Sequence, residues 1–342
     1  MKKTIYTGII ALLFFSGCKE KPSPENVSAD VLTSEFIYNT AEFPSCHAST
    51  IVETKEGFLA AWFGGTHERH PDVCIYTSKN IDGSWSAPEL VADGIINDTL
   101  RYPCWNPVLF KRNNGDIVLY YKVGPSPREW WGEYKVSGDE GITWSEAVKI
   151  PDNLLGPIKN KPVQLSDKTI LYPTSFETPE LWNIYIETSD QSLNNWKKTE
   201  INNNGFNAIQ PTVLFYNDGK IQMLCRSKEK KIVETWSSDN GKTWSPVEAT
   251  SLVNNNSGID AVTLKNGMQL LVCNPIKDGR NKLALKTSVD GKNWYDVLML
   301  EDQPEGEFSY PAIIQGNDGS VHITYTYNRE KIKYVHLKIN EK

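Results

Sequence analysis

A short motif that recurs about every fifty residues constrains the fold of this chain more than any other feature. Residues 137–144 read SGDEGITW and residues 237–244 read SSDNGKTW, and three looser copies also end in tryptophan. The five terminal tryptophans lie 59, 52, 48 and 50 residues apart, at Trp85, Trp144, Trp196, Trp244 and Trp294. A regular period of this length, with several short strands in each unit, is typical of a β-propeller.

The motif has the composition of a tight turn between two strands. Its Asp-x-Gly core supplies a glycine for the positive φ angle of such a turn, and we expect the tryptophan to fold back and pack within the same blade. Between the motifs, short apolar runs alternate with Asp-Gly or Gly-Asp turns, and no long amphipathic helix stands out. The chain is therefore predicted to be all-β.

The number of units predicts six blades. Five units carry the tryptophan motif, and a sixth unit over residues 308–337 lacks it. Residues 36–38 form a candidate strand that would close the ring by pairing with a C-terminal strand at residues 332–339. The predicted fold is a six-bladed β-propeller with four antiparallel strands in each blade.

Residues 1–18 predict export. Lys2 and Lys3 precede an apolar run, and small residues then lead to Cys18. This pattern is a signal peptide, too short for a membrane-spanning helix, that ends at a cysteine of the kind that is acylated in bacterial lipoproteins. Residues 19–32 are polar and favour a flexible tether, which places the propeller domain at residues 33–342. We expect an exported protein that is anchored to the outer membrane only through lipid on Cys18.

Composition argues against several classes of partner. The formal net charge is −6, so the chain lacks the basic surface that nucleic-acid binding requires. Beyond Cys18, the cysteines are odd in number and lack CxxC spacing, so neither a disulfide framework nor a thiolate zinc site is predicted. His67 and His70 are three residues apart with Pro71 next, so no HExxH zinc motif is present. No metal or other cofactor is predicted, and the 11% of aromatic residues suits a sugar-binding surface.

The motif period on an exported chain resembles the sialidase (neuraminidase) superfamily, and the likeness covers the chain after the tether. Sialidases bind a carboxylate with three arginines and use a tyrosine nucleophile that a glutamate assists. The segment DGKIQMLCRS is similar to the one that carries the second arginine, which implies this role for Arg226. The segment GRNKL implies that Arg280 is the third arginine, and SYPA implies that Tyr310 is the counterpart of the nucleophile.

Two positions depart from the sialidase pattern. His47, in the segment CHAST, falls where the first arginine is expected. Gln210, in the segment AIQPT, falls where the assisting glutamate is expected. The resemblance therefore implies a relative of the sialidases whose hydrolytic residues are altered.

The altered set of residues suits a different reaction on an acidic sugar. Arg226 and Arg280 can hold a carboxylate, which makes the C5 proton of a uronic acid more acidic. His47 and Tyr310 can act as general acid and base, in either order, and eliminate the group at C4 to leave a 4,5-unsaturated uronate. The expected substrate is the non-reducing end of an acidic oligosaccharide or polysaccharide. The enzyme is a lyase if a sugar leaves and a dehydratase if a hydroxyl leaves.

Two alternatives stay open from the sequence. One is an exo-acting glycoside hydrolase of the sialidase type, which the overall resemblance favours. The other is a non-catalytic, glycan-binding surface lipoprotein, because a fold does not fix a function.

Further polar side chains are predicted to line the same mouth of the ring, where strands begin and blades are joined. The first-blade loop corresponds to the place where sialidases carry their acid/base aspartate. The candidate substrate-binding residues are His67, Arg69, His70 and Asp72 in that loop, Arg101, Trp105 and Lys122 in the second blade, Lys159, Lys161 and Glu177 in the third, and Gln210 and Asp260 further along the chain. His322 and His336 alternate with apolar residues and are predicted to be structural.

Overall fold

The structure is a computed structural model that describes residues 24–341. The predicted signal peptide, with Cys18, and the start of the predicted tether lie outside the described residues. Six antiparallel sheets, each with at least four strands, form a six-bladed β-propeller, which confirms the predicted fold class. In this part of the chain no helix is long and apolar enough to cross a membrane.

The blades follow one another along the chain, and all six are antiparallel sheets. The strands of blade 1 are Ser45–Glu53, Gly57–Gly65, Cys74–Ile81, Ser84–Trp85 and Glu89–Ala92; those of blade 2 are Cys104–Lys111, Ile117–Val123, Trp131–Ser137 and Val148–Lys149; those of blade 3 are Val163–Gln164, Ile170–Glu177, Trp182–Ser189 and Lys197–Glu200. Those of blade 4 are Ala208–Phe215, Ile221–Ser227, Lys231–Ser237 and Glu248–Val253; those of blade 5 are Asp260–Thr263, Gln269–Cys273, Lys282–Ser288 and Tyr295–Asp302; those of blade 6 are Phe308–Gln315, Val321–Tyr327, Lys331–Glu341 and Val27–Phe36. A 3₁₀ helix at Pro24–Asn26 precedes the first strand, and a small ribbon, Ile95–Asn97 with Leu100–Arg101, follows blade 1 in the chain.

Blade 6 is built from both ends of the described chain. Val27–Phe36 pairs antiparallel with Lys331–Glu341. An N-terminal strand closes the ring against the C-terminal strand, as predicted, but it is Val27–Phe36 rather than residues 36–38, of which only Phe36 belongs to it. The residues from Val27 onward, predicted to be part of the tether, form this strand. The strand is the outermost of its sheet, where most of its side chains are partly or fully exposed. It consequently lacks the alternating apolar pattern by which a strand is recognised in a sequence.

Six clusters of buried apolar side chains form the core, and each lies between two adjacent blades. The motif tryptophans pack at these seams, as Trp144 and Trp244 do in clusters shared with the preceding blade. The predicted packing of each tryptophan within its own blade is therefore only part of the arrangement, because the same clusters also contain side chains of the preceding blade. Gly141 shows how closely the motif turn approaches the preceding blade, since a Cβ there would lie 2.6 Å from a methyl carbon of Leu59 in that blade. Only glycine lets the turn approach the seam so closely.

The first strands of four blades share one local distortion. Their pairing with the second strand shifts register, and one residue in each shift has a positive φ angle: Ala48, Asn106, Gln210 and Tyr310. Three of the four precede a proline, a position that ordinarily favours extended backbone. Backbone in this sparsely populated region persists only where its surroundings hold it, and it concentrates at functional sites. The distortions therefore mark where a site is to be sought.

His322 makes the closure between blades 6 and 1 sensitive to acid. Its ring centre lies 4.0 Å from that of Phe58 in blade 1, and its two nitrogens lie 2.8 Å from the hydroxyls of Tyr334 and Ser320. Burial, and then the neighbouring His336, lower the pKa of His322 from 6.5 to about 4. Between pH 6.5 and about pH 4, His322 is protonated in the unfolded chain but remains neutral in the folded chain, so acid favours unfolding.

We therefore expect the free energy of unfolding to fall between about pH 7.5 and about pH 5, and His322→Gln to reduce that fall by about 2 kcal/mol. Denaturant titrations at the two pH values measure the effect. His67→Gln, at an exposed histidine, is the control and should retain the full fall of the parent. An equal fall in the parent and in His322→Gln would contradict the assignment.

Candidate active site

Tyr310 is the centre of a hydrogen-bonded group that joins blades 4 and 6. It is half-buried, at the distorted position of the first strand of blade 6. Its hydroxyl oxygen accepts a hydrogen bond from Arg226 Nη1 at 2.8 Å and another from Gln210 Nε2 at 3.2 Å. Arg226 Nη1 also donates to Gln210 Oε1 at 3.2 Å. Two residues with positive φ angles are thus tied together through one guanidinium group.

Arg226 is held in place by its own contacts. It lies near the end of the second strand of blade 4 and is 8% exposed. Its Nε donates to Asn256 Oδ1 at 2.9 Å, and its guanidinium carbon lies 5.4 Å from the ring centre of Trp182. The aromatic face and the amide oxygen fix the plane of the guanidinium, so its donors are aimed before any ligand binds.

His47 lies directly against Tyr310, with ring centres 4.1 Å apart. It is 2% exposed, and its Nδ1 lies 3.0 Å from Thr326 Oγ1. Its Nε2 has no hydrogen-bond partner within residues 24–341. Burial lowers the pKa of His47 well below 6.5, and the nearby cations, with Arg329 first, lower it further. His47 is therefore neutral and lies behind Tyr310 rather than at the open surface of the site.

Arg280 and a residue absent from the sequence predictions, Arg329, complete a cluster of three arginines around this group. The guanidinium carbon of Arg280 lies 5.9 Å from the Tyr310 ring centre. Arg280 Nη1 and Arg329 Nε each lie 2.7 Å from Glu307 Oε1, and Arg329 Nη1 lies 2.5 Å from Glu68 Oε2. Burial raises the pKa of Glu307, but Arg329 and Arg280 outweigh that effect and lower it overall.

The structure thus brings together all four predicted catalytic residues, which are far apart in sequence. Arg329 lies in the turn after the second strand of blade 6, a place comparable to that of Arg226 near the end of the second strand of blade 4. Both Asn328 and Arg329 have positive φ angles. The sequence TYNREK contains no glycine that would predict such a turn.

Glu177 is the predicted substrate-binding residue with the most unusual environment. It ends the second strand of blade 3 and is half-buried. Burial raises its pKa, although Arg226, then Lys228, Arg128 and Arg69, act against that rise. Glu177 therefore lies within the positive field of the arginine cluster, and the exposed Arg69 extends that field at the surface.

The loop of blade 1 is held by contacts within itself, which differs from its predicted role. Asp72 Oδ1 accepts from the Thr66 amide at 3.0 Å and lies 2.8 Å from His70 Nδ1, and Oδ2 accepts from Thr66 Oγ1 at 2.5 Å. Burial opposes ionisation of Asp72, but the bonds from Thr66 and the nearby His70 outweigh it and lower the pKa. Arg101 donates to the Asp72 carbonyl at 3.2 Å, and His67 Nδ1 lies 2.9 Å from the Glu68 carbonyl. These side chains shape the loop.

Three further predicted binding residues are buried structural groups. Trp105 is 2% exposed and donates to the Gly124 carbonyl at 2.8 Å. Lys122 is fully buried and donates to the Pro157 carbonyl at 2.7 Å, and burial lowers its pKa to about 7. Lys159 is 4% exposed and donates to the carbonyls of Ile259, at 3.1 Å, and Pro311, and burial lowers its pKa to about 7 as well. The sequence places these residues near the mouth of the ring, but it does not show whether their side chains point toward the mouth or pack between blades.

Asp260 and Lys161 also differ from their predicted role. Asp260 is 2% exposed, and its carboxylate accepts from Thr212 Oγ1 at 2.8 Å and from the Ile313 amide at 2.9 Å. Lys161 Nζ lies 2.7 Å from the same carboxylate. Asp260 of blade 5 therefore links blades 4 and 6, through hydrogen bonds, to the segment before blade 3, through its ion pair with Lys161.

We expect Asp260→Asn to lower the free energy of unfolding by about 1–3 kcal/mol, because an amide cannot accept all of these bonds and leaves Lys161 without its counter-charge. Denaturant titration measures the loss. Asp218→Asn, in an exposed turn, is the matched control and should change stability by no more than about 0.5 kcal/mol. A stable Asp260→Asn variant that binds substrate poorly would instead support the predicted contact with substrate.

In the described part of the chain, no three His, Cys, Asp or Glu side chains are grouped so as to hold a metal ion. A closed six-bladed ring with tryptophan-ended turn motifs, and with a tyrosine among three arginines, defines a sialidase-like propeller. Residues 56–323 match the family model of the BNR repeat-like domain, and the chain belongs to this family.

Solved structures with the same fold include both an uncharacterised protein and sialidases. A protein of unknown function from Dyadobacter fermentans superposes with a TM-score of 0.76 at 16% identity, over 92% of this chain and 100% of that one. The Hadza microbial sialidase Hz136 gives 0.75 at 16% identity, over 90% of this chain and 68% of that one. The intramolecular trans-sialidase from Ruminococcus gnavus gives 0.69 at 15% identity, over 89% and 97%. Among curated proteins, none matches this chain in sequence.

Proposed function

We propose that this protein is a carbohydrate-active enzyme that acts on the non-reducing ends of acidic, uronic-acid-containing oligosaccharides by β-elimination. One observation carries the proposal: the Tyr310 hydroxyl accepts hydrogen bonds from Arg226 and Gln210, and within residues 24–341 no carboxylate bonds to it. An oxygen that accepts two N–H donors, one of them cationic, is suited to carry negative charge. Such a group serves as a base, whereas a tyrosine nucleophile of the sialidase type relies on a glutamate at the place of Gln210.

The three arginines supply the electrostatic part of the reaction. Arg226, Arg280 and Arg329 surround Tyr310 from three blades. Glu307 forms ion pairs with Arg280 and Arg329, and Glu68 forms one with Arg329. A uronate carboxylate bound among them is partly neutralised, which acidifies the proton on the adjacent C5. The same contacts stabilise the charge that develops on the carboxylate as that proton leaves.

Tyr310 is then assigned both proton transfers. Its phenolate takes the C5 proton, the C5–H electrons form the C4–C5 double bond, and the C4–O bond breaks. The phenol returns the proton to the departing oxygen, which leaves as a sugar hydroxyl or as water. His47, neutral and 2% exposed, is reassigned from a proton carrier on substrate to a group that positions the Tyr310 ring.

A sialidase-type hydrolase is the second candidate, because the resemblance assigns Arg226, Arg280 and Tyr310 to sialidase site positions and the structural neighbours include sialidases. Two observations speak against it. Gln210 carries no charge, so it cannot take the tyrosine proton. Asp72, in the loop where the resemblance places the acid/base aspartate, has both oxygens bonded within its own loop and a lowered pKa, so it is a poor proton donor near neutral pH.

Incubation with a panel of saturated acidic oligosaccharides and a sialyl-oligosaccharide separates the two candidates. Elimination creates a double bond conjugated with the carboxylate, so ultraviolet absorbance rises and mass spectrometry finds an unsaturated product. Release of a saturated acidic sugar without an absorbance change would favour the hydrolase. Binding without any product would favour a glycan-binding role.

Export with a lipid on Cys18 is part of the same proposal, since it would place the enzyme where polysaccharide is met. The N-terminal sequence alone supports it. Metabolic labelling with a fatty acid should mark the parent and leave Cys18→Ser unlabelled.

A further inference from the structure

A groove beside the arginine cluster has features of a second carbohydrate site. The cavity measures about 460 Å³ and lies between the outer parts of blades 2 and 3. Trp130 and Phe176 contribute partly exposed aromatic surface to it, and Arg128 and Lys198 contribute positive charge. We propose that this groove is a subsite for the neighbouring, anionic sugar of the oligosaccharide whose terminal uronate lies at Tyr310. The proposal rests on the proposed function in taking that oligosaccharide as the occupant.

Glu177 makes the groove continuous with the catalytic group. It lines the groove and also lies within the field of Arg226 and Arg69. Its partner across the strand pair is Trp182, whose ring supports the Arg226 guanidinium at 5.4 Å. A chain whose terminal uronate lies at Tyr310 can therefore pass Glu177 into this groove.

The walls of the groove combine the two contacts that an anionic sugar requires. Lys198 Nζ lies 4.0 Å from the ring centre of the buried Tyr185 and 5.5 Å from that of the partly exposed Phe176, so charge and accessible aromatic surface are adjacent at Phe176. Apolar ring faces suit the C–H faces of a pyranose.

The groove is lined by cations and by the carboxylates of Glu177 and Asp152, so its affinity for an anion depends on which cations lack a counter-charge. Lys198 is balanced by Glu200 at 2.9 Å, and Lys149 is balanced by Asp152 at 2.7 Å. Arg128, which is exposed, forms no ion pair in the described part of the chain. Its guanidinium is therefore the group best placed to meet a carboxylate or a sulfate.

The test measures binding as a function of chain length, in a Tyr310→Phe background that stops turnover. The probes are glucuronate and tetrasaccharides of hyaluronan and of chondroitin sulfate with a saturated terminal glucuronate, followed by calorimetry or tryptophan fluorescence. We expect the better tetrasaccharide to bind at least about tenfold more tightly than glucuronate. The double substitution Arg128→Ala and Lys198→Ala should remove most of that gain and leave the affinity for glucuronate within about twofold.

Both side chains are exposed, so folding should survive, and the melting temperature verifies this. Lys220→Ala, at an exposed turn of blade 4, is the control and should bind like its parent. Equal affinity for glucuronate and both tetrasaccharides, or a double variant that keeps the tetrasaccharide affinity, would overturn the subsite. If the tetrasaccharide binds more tightly than glucuronate but the wild-type protein forms no unsaturated product, the proposed reaction is wrong and the subsite is still supported.

Discussion

Tyr310→Phe should lower kcat at least about a thousandfold while the protein folds as before. The substitution removes one oxygen, which in the proposed reaction carries the proton from C5 and returns it to the leaving group. Folding should not suffer, because Arg226 and Gln210 keep their bond to each other at 3.2 Å and the aromatic ring keeps its contact with His47. Initial rates of absorbance increase, together with thermal melting, measure the two effects.

Tyr327→Phe is the matched control for that variant. Tyr327 is a half-buried tyrosine in the same blade whose ring packs against Phe36 and Phe308. We expect it to keep activity within about twofold, since the substitution removes only the hydroxyl and keeps the packing of the ring. A Tyr310→Phe variant that keeps more than about a tenth of the parent kcat would show that Tyr310 does not carry the proton.

Arg226→Lys should lower kcat/KM by about a hundredfold to a thousandfold. Lysine retains the positive charge, but a single ammonium group cannot hold Tyr310, Gln210, Asn256 and a substrate carboxylate in fixed directions. The loss should therefore appear in kcat as well as in KM, because the same contacts orient the base and stabilise the transition state. Steady-state kinetics with a uronate-ended oligosaccharide separate the two parameters.

Arg112→Lys provides the comparison for charge-conserving changes elsewhere. Arg112 forms an ion pair with Asp116 in blade 2 and donates to the Gln191 carbonyl, away from Tyr310. This variant should keep the kinetic constants of the parent. An Arg226→Lys enzyme that loses only affinity, with kcat intact, would reduce Arg226 to a binding residue and separate it from the action of Tyr310.

The fold could be predicted because its defining signal is periodic. Each motif, such as residues 137–144, is a local turn, and its recurrence gives the number of blades without knowledge of distant contacts. The strand from Val27 was missed because an outer strand buries little apolar surface. The packing of Trp144 at the seam with the preceding blade depends on how blades stack, which no local pattern records.

The site could be predicted only in part, for a related reason. Arg226, Arg280, Tyr310 and His47 were located by resemblance, and the structure brings them together. Arg329 has no such pattern around it, because it reaches the cluster through a turn with positive φ angles.

Several polar residues at strand starts, by contrast, are predicted to bind substrate but are structural. Lys122 and Asp260 are polar in sequence, yet the structure buries both against backbone groups of neighbouring blades. Exposure at these positions depends on the direction of a single side chain, and a strand start permits either direction.

The reaction itself is tested most directly by incubating the wild-type protein with a saturated, uronate-ended oligosaccharide in water enriched in oxygen-18. The proposed elimination predicts rising ultraviolet absorbance and an unsaturated uronate without the heavy isotope, because no solvent oxygen enters the sugar. A hydrolase that uses Tyr310 as nucleophile would instead release a saturated sugar that carries oxygen-18 at its anomeric carbon, with no gain in absorbance. That result would contradict the assignment of Tyr310 as the base of an elimination.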